Sequence, residues 1–496
     1  MEKEEIIKKE LFDIIAELKA NQNLHGEMAN ESIARMAKEL ESTARDLDIY
    51  TPEEVFLKIR NDYFLAVSAE ALISPGIATV IEDSKDQIYL ARYEGNLADE
   101  TKTLVSKDTR FDYASITKMF TVLEALKLNQ DGLFDINQVI AKINSSPYKT
   151  LNITVADILR FKYELQTIGR IDDPNITTAT FFRRLLRPKI GMNAYTYSDI
   201  PYIIVKTLMP NSRKFFTDYY DELGLLSVGY DINGSITGGY DFNAVADEKA
   251  RQMMRLGIQP GHAGLFGTAD DLIKVFDALN NGFLSEESLE QLLSSGTEKK
   301  YVPKYDQDGK EIGLKPVNRG MGVYIEHPEG LKIGEVIPGL SKKAFAITGF
   351  TGGYASYDLV NGFSSVILSN PLSIEATDTK VMVSRIPKEN RYLLDKAGKP
   401  FEEGSFIISN YIQSEKKKNI NIYNQNGVLI ENRAYTNMLN HLKEQQLYTL
   451  LKLRLTKRVA ISLAESDLLI EHINEEYSGG KKFTKWQIIS ILQKNY

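Results

Sequence analysis

Ser115-Ile116-Thr117-Lys118, within the stretch FDYASITKMF, sets a hydroxyl three residues ahead of an amine at the head of an apolar run. Residues three apart share one face of a helix, so the Lys118 amine can reach the Ser115 hydroxyl. The positive end of the helix dipole disfavours an ammonium and favours a developing alkoxide. Burial against an apolar face lowers a lysine pKa further, and a free amine beside a hydroxyl is a general base beside a nucleophile. The spacing therefore fits acyl transfer through a serine. It fits equally an ordinary helix start, with Ser115 as the cap and Lys118 in solvent.

Context discriminates between the two, because Ser-x-x-Lys occurs four times: at Ser115/Lys118, Ser146/Lys149, Ser414/Lys417 and Ser478/Lys481. Ser146 precedes Pro147 in a polar loop, Ser414 opens a charge run, and Ser478 begins a Gly-Gly turn. Only Ser115 leads into a core-type helix face, with Ile116, Met119, Phe120, Val122, Leu123 and Leu126.

The elements around this site read as follows. Residues 1–70 are helical in pattern and rich in Glu, Lys and Ala. Ile77–Ile81 and Gln87–Arg92 read as strands joined by a polar turn, and the helix after Ser115 runs to about Leu128 and stops at Gly132. The middle of the chain, roughly 130–300, reads as mostly helical. "KAFAITGFTGGYASYDLVNGFSSVILSN" then gives three strands, with Asn361-Gly362 as a hairpin turn. "FEEGSFIISNYIQS", "TNMLNHLKEQQLYTLLKLRL" and "SLAESDLLIEHINEEY" read as helices. An early hairpin and a late three-stranded unit predict one antiparallel sheet built from both ends of the body and flanked by helices, an α+β arrangement with a helical domain. The expected divisions are 1–70, 71–415 and a basic, mainly helical extension over 416–496.

Composition narrows the chemistry. The 496 residues contain no cysteine, which excludes disulfides, thiolate nucleophiles and zinc–thiolate sites. The five histidines never form a close pair, so no metal or other cofactor is expected. The net charge of −7 hides an asymmetry: residues 416–496 carry 13 basic and 7 acidic residues. That extension is expected to dock on its own acidic body or to recruit a protein partner, with no nucleic acid expected. Charges interrupt the N-terminus every few residues, so no signal peptide is read there. No run approaches the length of a transmembrane span. As written, the chain is expected in the cytoplasm; removal of a leader would place it outside.

Two further stretches accompany Ser115. "NAYTYSDIPYIIV" holds Tyr197-Ser198-Asp199 before an apolar helix, and "FAITGFTGGYASYD" sets Thr348-Gly349 at a strand end. With "PGIATVIED" and "GHAGLFGTADDL", these motifs fall in the order of the serine β-lactamase and penicillin-binding-protein family, which residues 70–410 resemble in its class C-like and esterase branch. The resemblance implies the fold of that family. It also implies Ser115 as nucleophile, Lys118 as its activating partner and Tyr197 as a proton-relaying phenol. Asp199 would hydrogen-bond the lysine or the substrate, or merely cap a helix. Thr348 and Gly349 would lead to an oxyanion hole made by the backbone N–H groups of Ser115 and Phe350. His262 is read as a structural loop histidine, since no Gly-x-Ser-x-Gly elbow accompanies it. Thr268-Ala-Asp-Asp271 fits a capping-box variant.

The third motif departs from the family: Ile347 stands where a lysine or histidine is usual. An apolar residue there cannot hold a substrate carboxylate. Efficient β-lactam turnover is therefore not expected, and an ester, or an amide lacking a free carboxylate beside the scissile bond, fits better. The expected function is serine hydrolysis of an ester or amide, small or peptide-like, through an acyl-enzyme. The alternative is a catalytically degenerate scaffold of the same fold that recruits partners through its ends.

Overall fold

A computed structural model of the chain describes residues 3–20, 27–70, 74, 76–96, 103–144, 146–172, 175–210, 219–230, 235–236, 245, 247–297, 299, 301–306, 308–325, 336–337, 339–370, 373–376, 379–382, 419–423 and 429–477. Helices α1 (Lys3–Ala20), α2 (Glu27–Ile49) and α3 (Pro52–Glu70) precede strands β1 (Gly76–Asp83) and β2 (Ile88–Gly95). A short strand β3 (Arg110–Asp112) leads into α4 (Thr117–Gln130). The middle is less helical than its pattern indicates. There α5 (Val155–Leu159), β4 (Tyr163–Gln166), α6 (Thr178–Leu185), β5 (Lys189–Ala194) and α7 (Ile200–Leu208) alternate. β6 (Ser235–Ile236), α8 (Glu248–Arg255), β7 (Phe266–Gly267), α9 (Ala269–Asn280) and α10 (Glu286–Leu293) follow. The hairpin β8 (Tyr301–Tyr305) and β9 (Glu311–Pro316) comes next, before β10 (Ala344–Thr348), β11 (Tyr354–Asp358) and β12 (Phe363–Ser369). Two short hairpins, β13 (Ser373–Ala376) with β14 (Thr379–Met382) and β15 (Asn419–Tyr423) with β16 (Leu429–Ala434), lead to α11 (Tyr435–Tyr477). The two helices read in the tail are thus one. The helix read over residues 401–414 lies outside the described residues.

The central sheet has the order β10-β11-β12-β1-β2, so its early and late strands meet where β1 pairs antiparallel with β12, Ile77 opposite Ser369. Gly362 turns the β11–β12 hairpin at φ +70°, a conformation glycine adopts without penalty. Alternation along β1 sends Ala78 and Val80 to one face and Ile77 and Ile81 to the other. The first face packs on α4 and α9. The second is covered by α1–α3 and α11, whose Leu439, Leu442, Leu450 and Leu453 are buried.

Charge joins this terminal layer to the body. Arg454 pairs with Glu17 at 3.0 Å and Asp83 at 3.1 Å, and also with Asp86; Arg458 reaches Glu17 at 3.0 Å. Within the described part of the extension, α11 therefore docks on acidic groups of β1, the turn after it and α1. α4 is buried on nearly all sides, including Lys118, Thr121 and Glu124. The buried Glu124 pairs with Lys206 of α7, which supplies a charge partner inside the core. Among the described residues, no helix is long and apolar enough to cross a membrane.

Candidate active site

Ser115 stands on a tight connection between β3 and α4. The Ala114 N–H donates to Asp112 Oδ1 at 2.8 Å, and the Ala114 backbone takes φ +44°, rare for a residue with a Cβ. A single 3-10 turn, Ala114–Ile116, then places Ser115 just before α4. Neither that turn nor α4 has a side-chain cap, so Ser115 does not cap the helix. Its Oγ instead accepts hydrogen bonds from Lys118 Nζ at 2.9 Å and from the Tyr197 hydroxyl. Lys118 is 1% exposed, which excludes a solvated lysine.

Three acceptors surround the Lys118 amine: Ser115 Oγ, the His262 carbonyl at 3.0 Å and Asp199 Oδ1 at 2.9 Å. An ammonium has three protons to give, and each finds a partner. Burial pulls the Lys118 pKa down, as the sequence indicates, but the Asp199 charge, with the Tyr197 phenol beside it, outweighs burial, and the pKa is raised above the ordinary lysine value. The expectation of a depressed, free amine is thereby overturned. A local apolar pattern reveals burial, but it does not reveal a carboxylate that arrives from elsewhere in the chain.

Asp199 precedes α7 without capping it through its side chain. It bridges Lys118 and Lys249, the latter at 3.1 Å. Burial alone would raise its pKa; Lys118, His262 and Lys249 hold it well below the carboxylate range. His262 is fully buried and its Nε2 lies 2.9 Å from Asp247. Among the described residues, Asp199, Asp247 and His262 form one group whose ligand atoms could gather a metal ion. The two lysines already compensate the Asp199 charge, so a cation entering there would have to displace an ammonium.

Tyr197 follows β5. Its ring stacks on Phe161, with centroids 5.3 Å apart and planes 22° apart. The residue is 42% exposed as a whole, while its hydroxyl end meets Ser115. Loss of surrounding water raises the phenol pKa, and Lys118 opposes the rise. Phe161 at φ +55° and Tyr195 at φ +52° join Ala114 among the four non-glycine residues described with positive φ, so backbone strain gathers at this site.

The turn from Thr348 to Gly353 packs against the serine's own segment. Thr351 donates to the Asp112 carbonyl at 2.6 Å, and a Cβ at Gly349 would stand 2.7 Å from the Tyr113 carbonyl oxygen. Only glycine allows that approach. Phe350 packs against the opposite core, and Ile347 is 3% exposed, sharing a core with Ile116 and Phe345. The strand position that carries a cation in the family is thus an apolar core residue here. Thr268 and Asp271 form a capping box at α9.

The structure brings Ser115, Lys118, Tyr197 and Asp199 together and lays the Thr348–Phe350 turn alongside. Sequence reasoning missed Asp247, Lys249, Phe161 and Arg319, whose guanidinium carbon stands 4.9 Å from the Tyr197 ring centroid. Asp247 caps α8, a weak local signal, accepting from the Ala250 N–H at 2.8 Å. The other three carry no local signal.

The chain is similar to known proteins over much of its length. The family described as Beta-lactamase matches residues 68–380, more than half of the chain. A protein of Salmonella agona (strain SL483), provisionally named a D-alanyl-D-alanine carboxypeptidase, is 24% identical over 352 residues, covering 60% of this chain and 78% of its own length. Among solved structures, EstCE1, titled a hydrolase with promiscuous acyltransferase activity, aligns with a TM-score of 0.47 at 15% identity, over 63% of this chain and 94% of its own. D-amino acid amidase from Ochrobactrum anthropi SV3 aligns at 0.45 with 17% identity, over 63% and 91%. On the strength of the family match, the chain belongs to the Beta-lactamase family.

Proposed function

We propose that this protein is a serine hydrolase that cleaves an ester or amide through an acyl-enzyme on Ser115. The observation that carries the reading is the double engagement of Ser115 Oγ, by the buried Lys118 amine and by the Tyr197 hydroxyl. Both donors favour negative charge on that oxygen. Attack forms a bond from Ser115 Oγ to the carbonyl carbon. Collapse of the tetrahedral intermediate breaks the bond to the leaving oxygen or nitrogen, which takes up a proton, and water then releases the acid and restores the serine.

In this reading Tyr197 carries the proton between serine and leaving group. Lys118, held by Asp199, fixes the phenol and stabilises its anionic form. Ser115 and Phe350 N–H groups receive the oxyanion, supported by the packing of the Thr348–Gly353 turn against Tyr113. The name of the Salmonella relative favours an amide of peptide type as one substrate class.

Intact-mass spectrometry after incubation with a fluorophosphonate, p-nitrophenyl esters, a β-lactam and D-amino-acid amides tests the reading. One covalent adduct on the wild-type protein, absent in Ser115→Ala, is the expected result. A folded wild-type protein that none of these reagents acylates would overturn it in favour of a non-catalytic scaffold.

A further inference from the structure

Ile347 leaves the third motif without its cation, yet the site has a positive charge from another element. Arg319 lies on the short hairpin Asn318–Ile325. Tyr324 of this hairpin pairs with Ala346 at the edge of β10, through N–H···O bonds of 2.7 and 2.9 Å in the two directions. Burial of Met321 and Val323 and the bond from the Gly322 N–H to the Leu159 carbonyl at 3.1 Å fix that hairpin. The Arg319 guanidinium carbon stands 4.9 Å from the centroid of the Tyr197 ring and 5.0 Å from that of Phe161. Those two centroids are 5.3 Å apart, so the cation forms a near-equilateral triangle with them. A third ring, Tyr324, lies 4.2 Å away, and its hydroxyl accepts from Arg319 at 3.1 Å.

The aromatic contacts hold the guanidinium without neutralising it. Among the described residues, no carboxylate stands within ion-pair distance of Arg319, whereas Lys118, Lys206, Lys249 and Arg454 each have one. An arginine has five N–H donors, and one bond to a phenol leaves most of them to offer. The wall beside it adds to the same potential. Lys315 of β9 donates to Thr196, next to Tyr197, at 2.7 Å. The Lys315 ammonium is held below its ordinary pKa by burial first, with Lys304 and Arg319 adding like-charge repulsion and Glu164 opposing. Glu164 is engaged by the Asn193 backbone and side chain at 3.1 and 3.0 Å.

We propose that Arg319 is the anion-recognition residue of this site, receiving a carboxylate of the substrate alongside Tyr197 in place of the cation missing at Ile347. A planar guanidinium on a fixed hairpin suits a carboxylate in bidentate geometry. The substrate class becomes an ester or amide with a carboxylate within reach of the scissile carbonyl, which reverses the expectation drawn from Ile347 alone. This rests on the hydrolase reading above.

The test uses two matched pairs of esters: mono-p-nitrophenyl succinate against p-nitrophenyl butyrate, and m-carboxyphenyl acetate against phenyl acetate. The first pair places the charge on the acyl side and the second on the leaving group. Wild-type kcat/KM should favour the anionic member of at least one pair by tenfold or more, and the preference should shrink as salt rises from 0.05 to 0.5 M. Arg319→Met should abolish it, mainly through KM, lowering kcat/KM for the anionic esters at least tenfold more than for their neutral partners, while Arg319→Lys should retain part of it. A wild-type enzyme that does not prefer either anionic ester overturns the assignment, whatever the variants do. So does an Arg319→Met that slows neutral and anionic esters alike, since that marks a residue positioning Tyr197. Turnover of neutral esters with labelling of Ser115 keeps the hydrolase reading intact in both cases. A protein that no ester or fluorophosphonate acylates overturns both readings.

Discussion

Lys118 has its three ammonium protons directed at Ser115, His262 and Asp199, and the Asp199 charge keeps it protonated. With the lysine cationic and the Tyr197 phenol also raised, the basic form of the pair is scarce at neutral pH. Below its pKa, a group acting as a base gains about tenfold in its reactive form for each unit by which the pH rises. For a neutral ester, kcat/KM corrected for spontaneous hydrolysis should therefore climb from pH 6 towards 10 without levelling off. In Asp199→Asn, burial is opposed less, the Lys118 pKa falls, and the climb should move to lower pH. A wild-type plateau already reached by pH 7 would contradict this account. The Ser115–Lys118 contact was legible because it is local to one turn of helix. Asp199 and His262 were legible as residues but not as neighbours, and Lys249 not at all, and so the direction of the lysine shift was misjudged. Arg319 had no signature, because its role depends on a hairpin crossing to the edge of β10.

Elements impose the finer tolerances. The late strands and the Asn361-Gly362 turn were readable because period-two alternation and a glycine turn are written in adjacent residues. The β4–β5 and β8–β9 hairpins were not, since their strands are short and largely exposed, as with Ile190, Met192, Ile312 and Leu314, and lack clear alternation. These hairpins nevertheless meet where the Tyr305 N–H donates to Asn193 Oδ1 at 3.0 Å, close to the segment carrying Tyr197. On the opposite side, the turn after β10 is held by a glycine fit. Gly349→Ala should push that turn off the Tyr113 carbonyl and lower kcat by about a hundredfold, the usual cost of losing one oxyanion donor. Steady-state kinetics beside a thermal melt checks it. Lost activity with a melting temperature lowered by only a few degrees is expected, and unchanged kcat would remove the turn from the catalytic machinery.

At the scale of the whole molecule, the terminal segments complete the fold, since α1–α3 and α11 form the layer over one face of the sheet. Arg454, 3% exposed, anchors that layer to Asp83. Burial lifts the Asp83 carboxyl to about 6 even with Arg454 opposing it. Arg454→Met leaves that carboxylate without its cation and should cost about 3 kcal/mol of stability near neutral pH. Asp83→Asn in the same chain should recover most of the loss, as a urea-unfolding double-mutant cycle would show; an additive result would argue against a specific pair. The charge asymmetry of the extension raised the expectation of such docking, but the partners Asp83 and Asp86 of Arg454 become visible only when β1 and α11 are brought side by side. The same layering carries a consequence for biosynthesis. β1 leaves the ribosome early but pairs with a strand some 290 residues downstream, and its second face is covered by leucines of α11 later still. Residues up to Ser369 must therefore be translated before the sheet can close, and those of α11 before its second face is covered. Until then the apolar side of β1 lacks its native cover, and Ser115 waits without the turn that completes its surroundings.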